Sequence, residues 1–143
     1  MTDKQIDDFA RIRQTMEKVI NENEYMQMLK IELLELKEGY AKARMSYQDM
    51  VLNPYGMIHG GALYSLADIT AGTAACTNGH YVTTVSGSMN FMRPAVHTKY
   101  VYCTATEIRC GSHLLVYDIK IQDDNDVILQ NGSYTFFNTE QPV

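Results

Sequence analysis

The chain has 143 residues, 45% of them hydrophobic and 20% charged, with 12 basic against 17 acidic side chains and a formal charge of -5. That length suits one domain with its own core. With no basic stripe or tail there is no grip for a nucleic-acid backbone, and no apolar run of about 18 residues reads as a membrane span.

The opening residues lack the basic and apolar regions of a secretory signal. Cys76, Cys103 and Cys110 are odd in number and show no C-x-x-C spacing. They suit free thiols in a reducing compartment, so a cytoplasmic location is expected. His59, His80, His97 and His113 are scattered, and no metal-ligand cluster is readable. Phosphate-binding glycine loops are absent, as are internal repeats. The acids are unevenly spread: from Met50 to Thr106 the only carboxylate is Asp68.

The first element reads as a helix ending at Asn21 to Asn23. Thr2 and Gln5 have the spacing of a capping box. Ile6, Phe9, Ile12, Met16 and Val19 then recur at helical intervals, which predicts a helix lying on the domain. Ile31 to Leu36 and Tyr40 to Tyr47 read as paired strands, with Gly39 supplying the turn. Asn53-Pro54-Tyr55-Gly56 is a loop. His59 to about Thr77 reads as a second helix, rich in small residues, with Leu63, Leu66, Ala67, Thr70 and Ala74 on one face. Asn78-Gly79 stops it. Tyr81 to Phe91, Lys99 to Arg109, Leu114 to Gln122 and Val127 to Asn138 read as strands. Gly111-Ser112 and the Asx-rich stretch Asp123 to Asp126 are the turns between them. Gly132, inside the last strand, marks a bulge or a close backbone approach. The expected fold is α+β: five or six antiparallel strands around one central, largely apolar helix.

Chemistry concentrates around the second helix. Gly60 and Gly61 open it, and free N–H groups at a helix start favour negative charge. Gly60 has no side chain, so a substrate oxygen could reach its N–H. A plain tight turn explains the same two glycines. Asp68 sits mid-helix with no basic residue nearby in sequence. A solvated helix face and a functional carboxylate are equal readings of that pattern. Asp68 follows His59 by nine residues, which is about two and a half turns and about 13 Å of helix. The two side chains therefore point to opposite sides. If both serve one reaction, the site must combine Gly60 of one subunit with Asp68 of another. A two-fold dimer with antiparallel helices would build two such sites.

The set Asn53-x-x-Gly56-x-x-His59-Gly60-Gly61, Leu66-Ala67-Asp68 and Asn90-Phe91-x-Arg93-Pro94-Ala95 resembles the hotdog-fold acyl-CoA thioesterases of the PaaI-like and 4-hydroxybenzoyl-CoA thioesterase superfamily. The resemblance covers roughly Tyr25 to Asn138. It implies one hotdog domain over residues 1–143, with residues 1–23 as an N-terminal helix and 24–143 as the hotdog core. It also implies a homodimer with shared sites, and dimers in this family often pair again, so dimer and tetramer are both open. The implied catalytic set is Asp68 as nucleophile or general base, the Gly60 N–H as oxyanion donor, His59 and Asn53 as orienting groups, and Thr84 as an aid to the attacking water. Gly61, Arg93, Gly111 and Ser112 are the implied substrate contacts. No cofactor and no metal are implied, since the CoA thioester is itself the substrate. Arg93, Lys99, Arg109 and Lys42 are the local cations that could meet the polyanionic CoA. Tyr64, Met57, Met89, Met92 and Tyr81 serve either an acyl pocket or the core. One other reading stays open on the same fold, a non-catalytic acyl-thioester binder or sensor; the His59-Gly60-Gly61 and Leu66-Ala67-Asp68 arrangement argues against a third, a hydratase or dehydratase acting on the acyl chain.

Overall fold

The computed structural model describes all 143 residues. Helix α1 spans Asp3–Glu22 and a short α2 spans Glu24–Met28. The hairpin strands are β1 (Ile31–Lys37) and β2 (Tyr40–Ser46), followed by the central helix α3 (Gly60–Ala75). Strands β3 (His80–Phe91), β4 (Tyr100–Cys110), β5 (Leu114–Gln122) and β6 (Ile128–Pro142) complete the chain.

The α1 start is the expected capping box: the Gln5 N–H donates to Thr2 Oγ1 at 3.3 Å, and the Thr2 N–H donates to Gln5 Oε1 at 2.8 Å. Its buried face differs from the expected one. Ile12, Met16 and Ile20 are buried, while Ile6 is 49% and Val19 is 38% exposed. The contact thus follows a ridge of every fourth residue, the usual packing row of a helix. The sequence reading also missed α2, which the Asn23 side chain caps through the Met26 N–H.

All six strands form one antiparallel sheet in the order β1-β2-β4-β5-β6-β3. Its concave face wraps α3. Ala41, Ala43 and Met45 alternate inward from β2. Val101, Cys103 and Ala105 do so from β4, and Leu115, Tyr117, Ile119 and Ile121 from β5. Ala67, Ala71, Ala74 and Ala75 of α3 are fully buried. Small side chains on the helix let the sheet close tightly, and each large aliphatic removed from water contributes about 1.5–3 kcal/mol. Gly132 explains how β6 and β3 approach: a Cβ there would stand 2.0 Å from the Ser88 carbonyl oxygen.

Strand ends shift from the sequence reading where pairing extends them. β6 runs on to Pro142 because that end pairs with His80 of β3. α3 continues as a tight turn, Cys76–Asn78, and stops at Gly79 with φ +98°. There Thr77 Oγ1 accepts from the Gly39 N–H at 2.9 Å, tying the β1–β2 hairpin to the helix end. Strands β1 and β3 are the sheet edges.

Candidate active site

The loop before α3 is held by its own polar groups. Asn53 Oδ1 accepts from the Tyr55 N–H at 2.9 Å and the Met57 N–H at 3.1 Å. The Tyr47 hydroxyl donates to the Gly56 carbonyl at 2.6 Å, and Gly56 takes φ +78°, a value L side chains resist. The Ile58 N–H donates to Ala95 O and the His59 N–H to Val51 O. These bonds aim the start of α3.

His59 is the N-cap of α3. Its Nδ1 accepts from the Gly61 N–H at 3.1 Å. The neutral ring therefore carries its proton on Nε2. Gly60, the first helical residue, keeps an N–H with no acceptor within the chain. It faces a cavity of about 260 Å³ that Asn53, Met57, Phe91, Met92, Arg93 and Gln130 also line. The Phe91 ring lies against Gly60, 3.4 Å from where a Cβ would stand.

Asp68 lies further along α3 and is half-buried. Thr84 Oγ1, from β3, donates to Asp68 Oδ1 at 2.8 Å. None of the three ion pairs in the chain involves Asp68. Gly61, Tyr64, Ser65, Gly87 and Tyr134 share a polar cleft with Asp68 and Thr84. The Tyr64 hydroxyl donates to the Gly87 carbonyl, and the Tyr134 hydroxyl donates to the Tyr64 carbonyl at 2.9 Å. Burial, then the neighbouring Tyr64 and the Asp68 charge, push the Tyr134 phenol well above its usual range. On its other side Asp68 borders an apolar cavity of about 240 Å³ between α1, α2, α3 and β3, with Met16, Val19, Met26, Ile69 and Phe136 in its wall.

The structure therefore gathers the candidates into two groups. Asn53, Gly60 and Arg93 share one cavity; Gly61, Asp68 and Thr84 share another. Gly60 and Asp68 thus open on different cavities. Arg93 Nη1 donates to the Ile128 carbonyl at 2.8 Å, which places it at the far end of β3 from Thr84. The Gly111-Ser112 turn lies at the Thr84 end, because Thr84 pairs with Phe136 and Phe136 with Leu115. Lys42 and Lys99 lie over the Tyr102 and Tyr100 rings. Met57 and Met92 line the Gly60 cavity, Tyr81 the apolar one and Tyr64 the polar cleft, while Met89 packs on the core.

Gln130 was missed by the sequence reading. It is 2% exposed on β6, and its Oε1 has no hydrogen-bond partner. Its inward parity with Tyr134 and Phe136 was the available signal.

Comparison with known proteins identifies the fold and the family. Acyl-coenzyme A thioesterase PaaI of Escherichia coli is 31% identical over 106 residues, covering 73% of this chain and 76% of that protein. The solved structure of the Escherichia coli PaaI protein from the phenylacetic acid degradation operon superposes with a TM-score of 0.87 at 22% identity, over 93% of this chain and 96% of that one. A Streptococcus mutans protein solved with acetyl-CoA bound has the same fold, with a TM-score of 0.76 at 19% identity over 80% of this chain and 92% of that one. The family model described as "Thioesterase superfamily" matches residues 55–129, which include the α3 start, Asp68, Thr84 and Arg93. The chain belongs to the thioesterase superfamily and has its PaaI-like hotdog fold.

Proposed function

We propose that the protein hydrolyses acyl-CoA thioesters at sites shared between two copies of the chain. The observation that carries this reading is the division of polar groups across α3: a free Gly60 N–H on one side and the Thr84-held Asp68 on the other. Neither group is sufficient alone. Hydrolysis needs a donor for the carbonyl oxygen and a carboxylate for water or the carbonyl carbon. Two chains related by a two-fold axis with antiparallel α3 helices bring Gly60 of one to Asp68 of the other.

Strand β3 supports that pairing. It is a sheet edge of 12 residues and exposes Tyr81, Val85 and Phe91. An uncovered apolar edge of this length is a template for a second strand. The acyl-CoA class rests on the PaaI relative and on the acetyl-CoA bound to the Streptococcus mutans neighbour. Arg93, at the rim of the Gly60 cavity, is the cation placed to meet CoA phosphate there.

In this mechanism the thioester oxygen accepts from the Gly60 N–H. Asp68 of the second chain takes a proton from water as the water oxygen attacks the carbonyl carbon, or attacks that carbon itself and is later freed by water. Negative charge grows on the carbonyl oxygen, where a fixed donor is worth about 3–4 kcal/mol. Collapse breaks the C–S bond, and the CoA thiolate recovers a proton. Thr84 holds the carboxylate in place throughout, and His59 holds the first turn of α3.

The test mixes two inactive variants, Asp68→Ala and Gly60→Pro, after unfolding and refolding together. Mixed dimers have one intact site, so thiol release should recover to about a quarter of wild type. No recovery from two folded, dimeric variants would remove the shared site. A wild type that binds acyl-CoA without turnover across short, long and aryl substrates would favour the non-catalytic binder.

A further inference from the structure

The polar inventory of the Gly60 cavity is unbalanced. Most of its wall is apolar: Met57, Ile58, Leu63, Phe91, Met92 and Ala95. Asn53 Oδ1 is committed to the loop N–H groups, and Arg93 Nη1 to the Ile128 carbonyl. Two further groups of the wall have no partner in the chain. One is a donor, the Gly60 N–H. The other is an acceptor, Gln130 Oε1, buried and without a partner. A buried amide oxygen without a donor is costly, and chains rarely retain one without a use.

Its place is set by the sheet. Gln130 pairs with Phe91 of β3 and Ile121 of β5. Phe91 in turn rests on Gly60. An apolar side chain of similar size would fill this inward position of β6 with no orphaned oxygen.

We propose that Gln130 is a substrate-contact residue, its Oε1 accepting a hydrogen bond from an N–H or O–H of the thioester bound at Gly60. The proposal rests on the thioesterase reading and adds a specificity element to it. Gly60 and Gln130 then form a donor and acceptor pair in one apolar cavity, matched to a ligand that has a carbonyl and a nearby donor. An acyl-CoA offers that donor in two places, an amide of the pantetheine arm or a hydroxyl on the acyl chain. A cavity built to receive a donor discriminates strongly against a ligand that lacks it.

The experiment compares wild type with Gln130→Met, which keeps the volume and removes the acceptor; Gln130→Leu replaces it should the Met variant misfold. Substrates are butyryl-CoA and its monohydroxylated derivatives, with kcat/KM and Tm measured for each protein. The proposal expects kcat/KM to fall about tenfold or more while Tm holds or rises by about 3 °C. A pantetheine contact lowers kcat/KM equally for every substrate. An acyl contact lowers it for one hydroxylated derivative and leaves butyryl-CoA unchanged. Unchanged kcat/KM for all of them, whatever Tm does, overturns the proposal and leaves Gln130 a flaw in packing. If wild type hydrolyses neither these thioesters nor the long and aryl ones, the thioesterase reading fails separately. Calorimetric binding of the same compounds then decides: weaker binding to the variant supports the contact, and equal binding removes it.

Discussion

Thr84 Oγ1 donates to Asp68 Oδ1 at 2.8 Å, and this bond joins β3 to the middle of α3. Asp68 has no cation within ion-pair distance, so Thr84 is what orients it. Thr84→Val should lower kcat by about 10- to 100-fold, the scale of a hydrogen bond to a charged group, with KM little changed. Thr84→Ser should keep most of the activity. An unaltered kcat in the Val variant would leave Thr84 an ordinary strand residue.

Gly60→Pro removes the N–H and puts ring carbons in its place, beside the Phe91 ring. Proline suits the first helical position, and His59 before it already has the extended ψ of 135° that proline requires. Thiol release should fall by about 10²–10³, the usual effect of losing one oxyanion donor. Circular dichroism and Tm should match wild type. A fully active Pro variant would show that the oxyanion donor lies elsewhere.

His59→Ala deletes the acceptor for the Gly61 N–H and should cost about 1 kcal/mol of stability. For a chain of this size that lowers Tm by about 3 °C. His59→Ser, a good N-cap, should recover the loss in thermal melts. If Ser restores Tm but not kcat, His59 has a role in the reaction beyond capping.

Asp124 anchors the approach to β4. Burial pushes its carboxyl up, but hydrogen bonds from the Lys99 N–H, the Thr98 side chain, the Tyr100 N–H and the Tyr102 hydroxyl outweigh it. The net pKa lies below its ordinary 3.8. A carboxylate so depressed stabilises the fold above its unfolded pKa, and the contribution disappears as pH falls through the folded value. Asp124→Asn should therefore lower Tm at neutral pH, and the gap to wild type should close below about pH 4. A gap that is constant with pH would mean that charge is not involved.

The thiols should separate by burial. Burial pushes Cys76 up to about 11 and Cys103 up to about 12. Cys110 is exposed, and its pKa is raised by partial burial and then by Glu107 and Glu38. Because thiolate is the reactive form, iodoacetamide at about pH 8 should label Cys110 alone, and slowly. Peptide mass spectrometry reads the sites, and early labelling of Cys103 would mean the sheet opens around β4.

Local signals in the sequence were sufficient for most elements. Thr2 and Gln5 set the α1 cap, Gly79 stopped the α3 segment, and the alternation of Ala41, Ala43 and Met45 chose the inward face of β2. Each depends on residues a few positions apart, so a linear reading reaches them. The N-terminal face was only half legible: Ile20 is buried where Val19 was expected, because the packing angle of α1 on the sheet decides which ridge is covered.

The lone carboxylate among more than fifty residues was visible at once, and helix geometry placed it opposite His59. Its partner was not derivable from spacing. Thr84 reaches Asp68 because β3 returns as the outer strand beside β6, a pairing between segments that only the closed sheet brings together. Gln130 is the clearer case. In the sequence it is one polar residue in a strand. The register against Phe91 and Ile121 turns it inward, and the approach of Phe91 to Gly60 encloses it. Composition and periodicity thus determined that the chain folds around a small-residue helix with one isolated acid. Which groups meet across that helix was decided by strand order and register, because those set contacts between residues far apart in the chain.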